Sequence, residues 1–180
     1  MTIENQFFPN QKTRSGFVAI IGAPNAGKST LMNFIVGAKV SIVTPKVQTT
    51  RTRIKGIAMV ADSQIIFIDT PGIFTPKRRL DRAMVNAAWQ GTDEADIILL
   101  LHDSARSSSD EETENIINRI ENIQREFPNR KFALILNKID LVRPENLLIK
   151  ASKLAKIINF EKTFMISAKK GKGVKDLVRW

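Results

Sequence analysis

A chain of 180 residues, 43% hydrophobic and 26% charged, is long enough for one domain with a sizeable core and ordinary in composition for a globular protein. It has no 18-residue apolar run to cross a bilayer as a helix, no Cys for disulfides, and no basic-then-apolar start of the signal-peptide kind, so a cytoplasmic protein is expected. The net charge of +10 is uneven, with ten acids against three bases from Asp93 to Glu126 and nine bases against two acids from Lys150 to Trp180; a basic end suits nucleic acid, an anionic surface or a solvated lysine face alike.

Residues 1–15 are polar apart from Phe7-Phe8-Pro9 and read as a flexible arm. Phe17-Val18-Ala19-Ile20-Ile21 is expected to be a buried strand, and a helix from about 28 to 36 follows, with Gly37 at its C-terminal glycine position. Between strand and helix lies Gly22-Ala23-Pro24-Asn25-Ala26-Gly27-Lys28-Ser29-Thr30, which matches the pattern G-x-x-x-x-G-K-[ST] in the context that pattern requires. Glycines let the backbone wrap phosphates, and successive N–H groups point inward as a nest. The helix N-terminus adds partial positive charge. Lys28 can reach the β- and γ-phosphates, and the Ser29 hydroxyl can ligate Mg²⁺. The bland reading is a Gly-rich turn with an exposed lysine. The four fixed positions and both flanks favour the phosphate cradle.

Residues 38–53 carry little periodicity and read as a mobile loop. Within it, a hydroxyl from Thr49 or Thr50 can complete a Mg²⁺ shell; Thr50 is preferred, and a solvated threonine pair is the competing reading. Residues 54–60 and 64–68 look like strands paired antiparallel across a turn at Asp62-Ser63. Asp69-Thr70-Pro71-Gly72 then sits at a strand's carboxyl end. Asp69 can hold Mg²⁺ opposite Ser29, and the Gly72 N–H is free to approach a γ-phosphate, a contact that ends on hydrolysis.

Residues 80–91 offer a helix, 97–101 a strand buried on both faces, and 109–126 a helix opened by a capping box from Ser109 to Glu112. A strand over 132–136 leads into Asn137-Lys138-Ile139-Asp140. The planar, acceptor-only carboxylate of Asp140 can take two N–H bonds from a guanine edge, a donor pair that adenine lacks. Asn137 can bridge loop and base, and the Lys138 stem can cover the ring. A helix over 144–158 opens on Pro144, a short strand spans 163–166, and a last helix starts at Val174. After that strand, Ser167-Ala168-Lys169 places an Ala168 N–H where guanine O6 can accept it and Lys169 where it can stack; an ordinary polar loop is the alternative. Strands alternating with helices predict a doubly wound α/β domain whose ligand lies beyond the carboxyl ends of the strands. Trp180 has no helix cap after it, so the chain is expected to continue beyond it.

These motifs, in this order, resemble the P-loop GTPases of the Ras-like fold. The sequences Ser41-Ile42-Val43-Thr44-Pro45-Lys46-Val47-Gln48-Thr49-Thr50-Arg51 and Asp69-Thr70-Pro71-Gly72-Ile73-Phe74-Thr75-Pro76-Lys77 narrow the likeness to the Era-like, translation-associated branch, across about residues 16–180. The resemblance implies a mostly parallel six-stranded sheet with one antiparallel edge strand and helices on both faces. It implies a GTP/GDP switch that uses Mg²⁺, acts in small ribosomal subunit assembly, and is monomeric, with peripheral association at the inner face of the cell membrane. Ribosomal RNA binding belongs to a C-terminal KH-type domain absent from this sequence. One departure from the Ras pattern matters. Gly72 is followed by Ile73 and Phe74, not by the Gln that orients water. Some members of the branch bind K⁺ through the asparagine that corresponds to Asn25, so Asn25 is a candidate K⁺ ligand and, with Lys28, Thr50 and Gly72, a candidate catalytic residue; a loop-stabilising side chain is the alternative. A P-loop ATPase or small-molecule kinase is disfavoured by Asn137-Lys138-x-Asp140. A nucleotide-gated interaction module with little catalysis stays open because the Gln is missing, and another GTPase of the same branch is disfavoured by the first of the two sequences.

Overall fold

Alternate residues of the two most apolar strands face opposite ways, and that alternation sets the layers. Ile98 and Leu100 pack into one cluster with Phe132, Leu134 and Leu136, while Leu99 and Leu101 pack into another with Ala133 and Ile135. A strand buried on both faces needs helices on both faces. The computed structural model describes residues 14–37, 54–68, 70, 73, 85–86, 89–90, 92–106 and 111–180. Its strands are β1 (Arg14–Ile21), β2 (Ile54–Val60), β3 (Ser63–Ile68), β4 (Ile97–Asp103), β5 (Lys131–Asn137) and β6 (Lys162–Met165). They form one six-stranded sheet in the order β2-β3-β1-β4-β5-β6. β2 and β3 pair antiparallel and all other neighbours pair parallel, which is the expected sheet.

The helices are α1 (Lys28–Gly37), α2 (Glu111–Glu126), α3 (Pro144–Ala155) and α4 (Val174–Arg179). Ile116, Ile117, Ile120 and Ile123 of α2, with Leu147 and Leu154 of α3, cover one face of the sheet. Leu31, Met32 and Ile35 of α1, with Val174 and Leu177 of α4, cover the other. Ile120 is fully buried. Ile120→Val removes one methyl group there and is expected to lower the unfolding free energy by about 1 kcal/mol in urea titration.

Several boundaries differ from the sequence reading. β1 begins at Arg14, inside the stretch read as an arm, because Arg14 and Ser15 pair with Ser63 and Gln64 of β3. For the same reason Ser63 belongs to β3, and the turn is Ala61-Asp62. α2 is described from Glu111 onward, with Ser109 outside the described residues, and Glu112 accepts from Arg106 Nη1 at 2.9 Å. α3 ends at Ala155, short of residue 158, where the chain turns back toward β6. Gln124 of α2 clamps that turn, donating to Asn159 O at 2.7 Å and accepting from Asn159 N–H at 3.2 Å. Of the helix expected over 80–91, residues 85–86 and 89–90 are helical, and so are 92–93; the others lie outside the described residues, as do the loop at 38–53 and residues 1–13. The carboxyl ends of the parallel strands β1, β3, β4, β5 and β6 all reach one edge, and β1 and β4 meet where the strand order reverses.

Candidate nucleotide-binding site

The loop after β1 closes on its own lysine. Lys28 Nζ donates to Gly22 O at 2.7 Å and to Ala23 O at 2.8 Å. Ile73 N–H also donates to Gly22 O, at 3.1 Å, so the segment after β3 is tied to the same carbonyl. Asn25 sits at φ 60, a left-handed conformation that asparagine tolerates better than most residues. Pro24 is half-buried and Ala26 fully buried, whereas Asn25, Ser29 and Thr30 are exposed on the loop and the first turn of α1. Exposed hydroxyls at a helix N-terminus beside a lysine fit a Mg²⁺–phosphate group in their donor chemistry.

Asn137, at the end of β5 and 2% exposed, joins this loop to another. Its Nδ2 donates to Ala26 O at 2.8 Å, and its Oδ1 accepts Ala168 N–H at 2.9 Å. Gly27 has φ 106, and a Cβ there would overlap Asn137 Nδ2. Glycine is needed at 27 for the backbone angle and for the asparagine's approach. Asn137 thus bridges loop to loop. The ends of β1, β5 and β6 lie close enough for a single carboxamide to span them.

Lys138 follows at φ 62, which swings its side chain out of line with β5. Its Nζ reaches Asp103 Oδ2 at 2.6 Å, at the end of β4. Asp103 is buried, and its Oδ1 accepts Ala105 N–H at 3.0 Å. Sequence reading missed Asp103; its signal is a lone carboxylate at the carboxyl end of an apolar strand. Thr70, also given no role, donates through Oγ1 to Ile20 O, one residue before the end of β1.

Asp140 sits in a short 3₁₀ turn, Ile139–Leu141. The Ser167 hydroxyl beside it is the main cause that holds its carboxyl below the ordinary value, and the positive charge of Lys170 adds to this. Lys170 Nζ lies 3.5 Å from Asp140 Oδ2. Ser167 is buried, and its N–H donates to Lys172 O at 3.0 Å, which closes the loop that carries Ala168 and Lys169. Lys169 is exposed. The structure therefore brings together Gly22, Pro24, Asn25, Ala26, Gly27, Lys28, Ser29 and Thr30 with Asn137, Lys138, Asp140, Ser167, Ala168 and Lys169 at one edge of the sheet. Thr49, Thr50, Asp69 and Gly72 lie outside the described residues.

Residues 17–138 match the family model described as 50S ribosome-binding GTPase. The chain is 53% identical over 169 residues to the GTPase Era of Brucella suis biovar 1 (strain 1330), covering 94% of this chain and 52% of that one. It is 54% identical over 168 residues to the GTPase Era of Dinoroseobacter shibae (strain DSM 16493 / NCIMB 14021 / DFL 12), covering 93% and 54%. The chain spans about half the length of these relatives. A crystal structure of Era in complex with MgGDPNP and nucleotides 1506–1542 of 16S ribosomal RNA superposes with a TM-score of 0.74 at 38% identity, covering 93% of this chain and 55% of that one. A structure of an Aquifex aeolicus Era variant bound to GDP·AlF4⁻ gives 0.70 at 37% identity, covering 93% and 56%. The match runs from β1 to the Asn137-Lys138 step, through the residues that close the site, and the chain belongs to the family of 50S ribosome-binding GTPases.

Proposed function

We propose that this chain is the nucleotide-switch portion of an Era-type GTPase, which binds GTP and GDP and hydrolyses GTP. The observation that carries the reading is the Asn137 carboxamide, which locks the phosphate loop at Ala26 to the loop at Ala168 with Asp140 alongside. A P-loop built to serve adenine has no use for that carboxylate, since adenine lacks the paired donors it accepts. Mg²⁺, held by Ser29 with Thr50 and Asp69, would supply charge neutralisation on the β- and γ-phosphates. Lys28 and the N–H groups of the loop stabilise charge on the transferred phosphoryl group. The Gly72 N–H reports the γ-phosphate to the segment that follows. The activity of the longer relatives, including the RNA contact present in one solved structure, suggests a role in small ribosomal subunit assembly, with small-subunit ribosomal RNA as partner through a KH-type domain.

Ile73 bears on catalysis. It is 3% exposed and packs in the core cluster beneath α2. An apolar side chain turned into the core cannot orient water, so the charge and water-positioning roles fall to other groups. Asn25 is exposed on the loop and suits a K⁺ ligand. The buried Ile73 equally favours the second reading, a nucleotide-gated interaction module with little catalysis.

One experiment separates the readings. GTP and ATP are titrated, and multiple-turnover GTP hydrolysis is followed in K⁺ and in Na⁺. Selective GTP binding is expected, with hydrolysis about tenfold faster in K⁺ and that gain lost in Asn25→Ala. ATP binding as tight as GTP binding would overturn the guanine assignment. Absence of turnover would favour the gated module, and equal rates in both salts would remove K⁺.

A further inference from the structure

We infer that Phe34 is a positioning residue for guanine recognition, the bearing against which the loop Ser167–Gly173 is seated. Phe34 lies on α1, less than two turns beyond Lys28, and its ring belongs to neither core cluster. It stays 39% exposed. What the ring touches is Gly171. A Cβ built on Gly171 would lie 2.7 Å from Phe34 Cε2 and 3.4 Å from Cε1, and would overlap Cζ. Gly171 also has φ 72, so the ring covers a left-handed turn that only glycine fits well.

That turn holds the guanine loop by both ends. On one side, Lys170 N–H donates to Ser167 O at 3.2 Å and to Ser167 Oγ at 3.3 Å, and Lys170 Nζ reaches toward Asp140. On the other, Lys172 O accepts Ser167 N–H at 3.0 Å, and Val174 N–H returns to Gly171 O at 3.3 Å to start α4. A shift of Gly171 must therefore move Ser167, and with it the groups around Asp140. Asn137 fixes the loop at Ala168; Phe34 fixes it three residues later, from the helix that carries the phosphate-binding lysine. The two contacts form a hinge pin and a stop. With the ring removed, the loop keeps its pin and can rotate about it.

The inference rests on the guanine reading, and its test keeps the two apart. Calorimetric titrations with GDP and IDP measure how well the site senses the exocyclic amine that IDP lacks. Wild-type protein without a GDP preference would sink the guanine reading itself. Given that preference, Phe34→Ala is expected to cut the GDP-to-IDP affinity ratio about fivefold. Phe34→Leu, which keeps bulk over Gly171, should restore most of it. Gly171→Ala should lower the ratio similarly, and the double variant should lose less than the two single losses combined. Thermal melting is followed in parallel. A Phe34→Ala protein with an unchanged ratio, whether or not its melting temperature falls, would overturn the assignment, because packing alone weakens both nucleotides equally.

Discussion

Asn137→Ala is expected to destabilise the fold by about 3 kcal/mol, since each buried polar group left without its partner costs about 1–3 kcal/mol. Two such groups are orphaned, Ala26 O in the phosphate loop and Ala168 N–H in the guanine loop. Neither gains water easily, because Ala26 and Ala168 are both buried. The same change separates the two halves of the site, and GDP affinity is expected to fall about 10²-fold, at 1.4 kcal/mol per factor of ten. Asn137→Asp provides the sharper check. It keeps the acceptor for Ala168 N–H but sets a carboxylate against Ala26 O, so it repairs one side only. Urea unfolding and calorimetric GDP titration of the two variants should rank wild type first in stability, with Asp no better than Ala, because the buried carboxylate faces a carbonyl oxygen with no donor between them. If Asn137→Ala unfolded like wild type, the carboxamide would not be the clasp.

Asp140→Asn should exchange one base for another. On the proposed guanine reading the carboxylate accepts two N–H groups from the base; an amide offers one acceptor and one donor, which suits the oxygen that xanthine carries in place of the amine. GDP affinity is expected to drop by at least about 10²-fold and XDP affinity to rise correspondingly, since a site built for one hydrogen-bond pattern strongly rejects another. Competition of GDP and XDP for each protein reads the switch. The wild-type carboxyl also predicts a pH dependence. Ser167 and Lys170 hold it below its ordinary value of 3.8, so it stays ionised where a free carboxyl begins to protonate. Guanine preference is therefore present above that range and is lost only as pH falls through the lowered value. In Ser167→Ala the loss should begin at higher pH.

The phosphate loop was legible because each residue in it answers to a local rule: backbone freedom at Gly27, charge at Lys28, a hydroxyl at Ser29. The sheet was legible because runs such as Phe132–Leu136 have no other stable place than between two layers of helices. What sequence could not convey were relations between distant elements. Arg14 and Ser15 have no strand pattern of their own; they are strand because Ser63 and Gln64 lie beside them. The bond from Asn137 to Ala26 spans 111 residues of chain and has no local signal. Asp103 carried a hint in its position at a strand end, but its partner Lys138 becomes evident only from the left-handed turn that points the lysine across to β4.

The short edge strand has a consequence for how a base would leave. β6 has four residues and, among the described residues, pairs on one side only, with β5, and the guanine loop hangs from its end. The phosphate loop, by contrast, hangs from β1, which has β3 on one flank and β4 on the other. Regions with few paired neighbours open locally at lower free energy than the centre of a sheet. Fraying of β6 and α4 would release the base while Lys28 and its carbonyl partners stayed in place. Departure would then run in two steps, base first and phosphates second, and its speed would be set by the periphery of the sheet.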